Sequence, residues 1–133
     1  MAPPREMIAT MRMPVTVPAM QAAAEGLTRL NVAIMRAAKK NGVPFAPLLL
    51  SGVRYKQEPH GFEMWDNCAV VLTRGWGDCE DLAAWRAAEL RMQGDRGAHV
   101  AVRPSRSGIS GHYHAVVRTG AGKLEDPSRW LGM

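Results

Sequence analysis

A cysteine at position 79 stands in the stretch GWGDCEDLAAWRAAELR, residues 75–91, preceded by Asp78 and followed by Glu80 and Asp81. A thiol becomes a strong nucleophile when its thiolate is stabilised, and the first turn of a helix does this through unpaired backbone N–H groups and the helix dipole. Asp78 is a good N-cap residue, and the apolar run Leu82, Ala83, Ala84, Trp85, Ala87, Ala88 and Leu90 predicts a nearly all-round apolar helix up to Gly94. Cys79 is therefore expected in the first turn of a central, buried helix. The three neighbouring carboxylates oppose ionisation of the thiol unless they point away or are hydrogen-bonded, so a nearby imidazolium would decide the balance. His112 and His114 are two apart in a segment that reads as a strand, and so share a face. Glu125 and Asp126 follow, before Pro127, where one of them on a neighbouring antiparallel strand could receive the other imidazole nitrogen. A cysteine, an imidazole and a carboxylate so arranged form the apparatus of nucleophilic acyl transfer, in which the base assists the thiol and the acid fixes the base's tautomer.

These groups need elements to hold them. Between residues 19 and 40, Met20, Ala23, Ala24, Leu27, Leu30, Ile34, Ala37 and Ala38 recur at three- and four-residue steps, which predicts an amphipathic helix. Lys39 and Lys40 suit its C-terminal dipole, and Asn41-Gly42 can supply a left-handed cap. Residues 1–18, with four prolines and four methionines, read as an arm in which MRMPVTV alternates enough for an edge strand. Prolines at 44, 47 and 59 and glycines at 52 and 61 predict loops and short turns between the two helices. The segments AHVAVRP, HYHAVVRT and KLEDP alternate or carry β-branched residues, separated by SRSGISG and GAG turns, and predict short strands. The expected architecture is an α+β domain over residues 19–133, helices first and sheet last.

Taken in order, GWGDCEDLAAWRAAELRMQG, GHYHAVVRT and KLEDPS resemble the transglutaminase-like cysteine peptidase superfamily. That pattern has G-x-C-x-D opening a helix, a His starting a strand, and an Asp in a D-P-[ST] segment; the resemblance covers roughly residues 75–128. It implies a papain-like core, with the central helix that starts at the cysteine packed on a small antiparallel sheet. It implies Cys79 as nucleophile, His114 as base and Asp126 as orienting acid. The chain departs from the pattern in reading His114-Ala115-Val116 where the family often has H-A-W, and in carrying the extra His112. The backbone N–H of Cys79 is by position one oxyanion donor; papain-like folds take a second from an upstream side chain, for which Gln57, Trp65 and Trp76 are candidates, Gln57 first. The function so implied is peptide or isopeptide hydrolysis, with no cofactor and a peptide or protein substrate.

Bland alternatives stand beside each of these. A cysteine in an Ala-rich helix is commonly a small buried hydrophobe, and Cys68 in DNCAVVLTRG reads as core, or as a partner for Cys79 in an oxidation-sensitive pair. Cys68, Cys79, His112 and His114 are suitable zinc ligands by type, but their spacing matches no finger or ribbon. His60 and His99 read as surface or loop residues, Asp81 as a residue stabilising its own helix end, and the tryptophans as packing. Asp before Pro commonly initiates a turn.

The chain of 133 residues is 47% hydrophobic and 22% charged, a globular balance sized for one domain. Its net charge of +5 divides into +5 over residues 1–60, −3 over 61–97 and +3 over 98–133. With two Phe, two Tyr and no basic-aromatic interleaving, nucleic acid is an unlikely partner. No apolar run is long enough for a bilayer and the N-terminus lacks a leader-like apolar core, so the expected setting is a cytoplasm. The small Ala/Arg/Gly-rich chain is similar to proteins encoded by tailed bacteriophages. That resemblance implies a second reading, a virion or assembly component that uses the same fold as an interaction module, with assembly partners reached through the N-terminal arm.

Overall fold

The computed structural model describes residues 8–58, 64–104 and 113–133. His60 and His112 lie outside these. The described residues form an α+β arrangement: α1 (Val17–Lys40), a 3-10 turn (Leu48–Leu50), β1 (Arg54–Tyr55), α2 (Cys68–Arg74), β2 (Trp76–Gly77), α3 (Cys79–Met92), β3 (His99–Pro104), β4 (Tyr113–Arg118), β5 (Leu124–Glu125) and α4 (Pro127–Trp130). Strands β3, β4 and β5 make an antiparallel sheet in sequence order, with Val102 opposite Ala115 and Val117 opposite Glu125. A second pair is parallel, β1 with β2, Arg54 opposite Trp76 and Tyr55 opposite Gly77. The expectation of helices first and sheet last is corrected to this extent: a short parallel ladder precedes α3.

Helix α1 begins at Val17, where Thr16 accepts a bond from the Ala19 N–H and Pro18 stands in the first turn. No strand forms in residues 8–16, so the edge strand expected in MRMPVTV is absent among the described residues. The buried stripe of α1 is Ala24, Leu27, Thr28, Asn31 and Met35, while Leu30 is 48% exposed. The stripe is thus rotated from the all-apolar expectation because it includes polar residues with assigned partners. The Gln21 amide donates to the Val100 carbonyl and accepts from the Val102 N–H at 2.9 Å, covering the free edge of β3. Asn31 accepts the Cys68 N–H at 2.8 Å and so ties the start of α2 to α1.

Helix α2, in a stretch without a helical reading, is closed at both ends by its sequence. The Asn67 side chain accepts the Val70 N–H, and Gly75 takes φ +87 at the C-cap. Helix α3 is central as expected: Leu82, Ala83, Ala84, Trp85, Ala87 and Ala88 are fully buried. On one side Ala83, Ala84 and Ala87 pack with Val100, Val102, Ala115 and Val117 of the sheet and with Ala24 and Leu27 of α1. On the other, Leu82, Trp85 and Ala88 pack with Leu48, Val53, Cys68, Val71 and Leu131, and Phe45 meets Trp85 edge-on. No helix among the described residues is long and apolar enough to cross a membrane.

Candidate active site

The turn that carries the cysteine is built by a capping box. Asp78 caps α3, and the Asp81 carboxylate reaches back to accept the Asp78 N–H at 3.2 Å. Asp81 thus stabilises its own turn, as read from sequence. It also accepts the Asp66 N–H at 2.8 Å and pairs with Arg74 Nη2 at 3.0 Å, while Arg74 Nη1 donates to Asp66 at 2.6 Å. Arg74 is stacked 3.9 Å from the Trp76 ring centroid and donates to the Trp76 carbonyl. At Gly77, two residues before the thiol, a Cβ would lie 3.1 Å from side-chain atoms of both Leu82 and Val71, tighter than ordinary contact, so those side chains would have to give by a few tenths of an ångström. The GWG of the motif therefore closes α2 and lets the chain pass tightly over α3.

Cys79 is the first residue of α3 and is 9% exposed. Its Sγ lies 2.9 Å from Oε2 of Glu80, which is itself 7% exposed. The three carboxylates therefore divide: Asp78 and Asp81 are taken up by cap bonds, and Glu80 faces the thiol. Burial is the main force raising the Cys79 pKa well above its ordinary value, joined by the charge and hydrogen bond of Glu80 and the charge of Asp78; the Ala115 backbone N–H works in the opposite direction. Burial, then the charge of Asp78, pushes Glu80 up to about 9. Burial likewise raises Asp81 to about 7, against the N–H bonds from Asp66 and Asp78.

The imidazole and acid come together. His114 Nε2 is 2.9 Å from Asp126 Oδ2, with the two side chains 22% and 23% exposed. Asp126 stands at the cap position of α4 yet makes no side-chain cap bond there, so the turn-initiating reading of Asp-Pro does not account for its carboxylate. Arg129 approaches the same oxygen at 3.6 Å. The adjacent Glu125 is held to α3 by Arg86 at 2.8 Å. Since Ala115, next to His114, donates toward the Cys79 sulfur, the thiol lies beside β4. Among the described residues no hydrogen bond joins Cys79 to His114; the sulfur's side-chain partner is Glu80.

Gln57 is exposed and lies just beyond the β1–β2 ladder, whose last bond runs from the Lys56 N–H to the Gly77 carbonyl. Parallel pairing thus carries Gln57 alongside the turn that enters Cys79. Trp65 is packed against the cluster containing Cys79. Trp76 is covered by Arg74 and Lys56. The Cys79 N–H, expected as an oxyanion donor, is instead bonded to Asp78 Oδ1 at 2.6 Å, because the cap carboxylate folds back onto its nearest donor.

Cys68 is fully buried as a core residue, and both cysteines are free thiols. Cys68 and Cys79 belong to different sides of the α3 core, which separates the two cysteines of the zinc set. Two other trios bring donors within 4.8 Å, Asp78 with Cys79 and Glu80, and Glu58 with Asp66 and Asp81. The second already contains the Arg74 cation and the first is engaged in its own cap and thiol bonds, so neither is assigned a metal. A cavity of about 340 Å³ lined by Met35, Phe45, Pro47 and Met92 lies at the other end of α3, about 20 Å along the helix from the thiol.

Sequence reasoning missed Glu80 as the thiol's partner, Arg74 as the brace and Tyr55 as a neighbour. The charges of Asp78, Cys79, Glu80 and Asp126 all act on the Tyr55 phenol, which burial in the first place raises to about 12. Alternation in RYKQ was the available signal for Tyr55 and the isolated basic residue before GWG for Arg74; which of the three acids flanking Cys79 faces its thiol has no sequence signal. In comparisons with known proteins, no family model, no curated protein and no solved structure matches the chain.

Proposed function

We propose that the chain is a thiol-dependent acyl-transfer enzyme, hydrolysing peptide or isopeptide bonds on a transglutaminase-like, papain-like core. The observation that carries this reading is the Asp126 carboxylate, which leaves its own helix uncapped and engages His114 Nε2 at 2.9 Å. An acid in that position fixes the imidazole tautomer and leaves Nδ1 as the nitrogen for a thiol proton. In the reaction so proposed, the Cys79 S–H bond breaks, the proton passes to His114 Nδ1, and the sulfur adds to the substrate carbonyl. His114 then protonates the departing amine, and water, activated by the same imidazole, cleaves the thioester. Gln57 is the proposed donor to the oxyanion. Hydrolysis is favoured over crosslinking because the imidazole and its acid are each more than a fifth exposed, so water reaches the base.

A second reading, an assembly or virion component with an incidental thiol, is favoured by one observation: Cys79 is 9% exposed and bonded to Glu80. Alkylation by iodoacetamide separates the two. In a Cys68→Ala background, the enzyme reading expects reaction at Cys79 that slows on His114→Ala as the apparent thiol pKa rises. A Cys79 that reacts identically without His114, or that stays unmodified even with Glu80→Gln, removes the catalytic reading and leaves the assembly one.

A further inference from the structure

The group the reaction does not use is the one that touches the sulfur. Glu80 is 7% exposed, and among the described residues no Lys, Arg or His pairs with it. What the described residues place around it is acidic or neutral: Asp78 and Asp81 on its own turn, the Tyr55 phenol from β1, on which the charge of Asp126 also acts, and the thiol itself. A carboxyl buried among acids without a cation holds a proton. Asp81, three residues into the helix, shows the contrast, because Arg74 and two backbone N–H groups support its charge.

We propose that Glu80 is a latch on the thiol: across the 2.9 Å contact it accepts the Cys79 S–H and opposes release of that proton. Arming the site transfers the thiol proton to His114 Nδ1; one S–H bond breaks, one N–H bond forms, and the imidazolium faces Asp126. Glu80 keeps its own proton and turns its O–H toward the thiolate. Ionising Glu80 instead sets a carboxylate against the sulfur and closes the latch more tightly. Glu80 is thus a positioning residue for Cys79. This rests on Cys79 as the nucleophile of the proposed reaction, but the coupling itself exists whether or not anything is turned over.

The test is a thiolate titration by far-ultraviolet absorbance, taken as the difference between Cys68→Ala and Cys68→Ala/Cys79→Ala proteins, which needs no reagent access to the sulfur. In the wild type, burial and then the charge of Glu80 oppose the thiolate, which forms late. Glu80→Gln keeps the size and the hydrogen bond but cannot ionise, so the thiolate midpoint should fall by about one pH unit or more, a tenfold gain in thiolate at a fixed alkaline pH. Glu80→Asp, which keeps the charge one methylene further back, should fall between the two. Unchanged midpoints in both variants overturn the latch. Adding His114→Ala to the Gln variant addresses the other reading: if the midpoint rises again, imidazole and thiol communicate. If Gln lowers it and His114→Ala then does nothing, the latch stands and the catalytic assignment fails.

Discussion

Asp81 is fully buried and, among the described residues, its charge is supported by one cation, Arg74, which also neutralises Asp66. Removing one partner of a buried ion pair is far more damaging than the pair's net worth, because the other charge is left desolvated. Arg74→Met should therefore destabilise the fold by about 2–4 kcal/mol, near or below the usual range because Arg74 itself is 23% exposed. The loss should shrink as pH falls below about 7, where the Asp81 carboxyl takes up a proton, and urea unfolding of both proteins at two pH values measures it. Smaller losses at mildly alkaline than at acid pH would contradict this account. At this scale the sequence was informative wherever a residue type has few uses: Asp78 before an Ala-rich run, the Asp81 capping box, and Asp126 before Pro127. It was uninformative where a long side chain chooses among partners, as Arg74 chooses Asp66, Asp81 and Trp76 together.

Edge strand β3 depends on a helix side chain for one of its ladder bonds. With Gln21 replaced by Ala, the Val102 N–H and the Val100 carbonyl both lose their partner, a loss of about 1–2 kcal/mol. Hydrogen exchange localises the effect: the Val102 amide should exchange faster while the amides of β4 that face β5 keep their protection. The same glutamine explains why the α1 stripe was misjudged. The expected stripe gave Leu30 a core position and omitted the polar Gln21, Thr28 and Asn31 as well as Met35, whereas Leu30 is 48% exposed and Asn31 is fully buried. Periodicity locates a helix, but a polar residue bonded across an element boundary is invisible to it. Helix α2 escaped for a related reason. Val70, Val71 and Thr73 are β-branched and disfavour a helix, and only the Asn67 and Gly75 caps announced one. The strands β3, β4 and β5 were legible because alternation and turn residues agree there, whereas the two-residue β1–β2 ladder is too short to leave a pattern.

Across the whole molecule, titrating groups shifted in opposite directions determine how stability depends on pH. The folded chain retains the Glu80 proton up to about 9 and the unfolded chain releases it near 4.5. Through that interval the folded state binds more protons, so stability falls as pH rises. Asp81, raised from 3.8 to about 7, acts in the same sense over a lower window. Burial raises Cys68 from 9 to about 12, which extends the decline into alkaline solution. The opposing term is Glu25, lowered chiefly by its hydrogen bond to Arg91, whose contribution is present above its unfolded pKa and is lost as acid protonates it. The two trends meet in mildly acidic solution. The melting temperature should peak at about pH 4 and drop steadily toward about pH 9, with a stability difference on the order of a few kcal/mol between those limits. Glu80→Gln should flatten most of that slope above about pH 7, because the variant has no proton to lose at the centre of the site. A wild-type melting temperature that rises between pH 5 and 9, or a slope that survives the substitution, would mean that Glu80 is ionised in the folded chain and that the proton on the sulfur is governed from elsewhere.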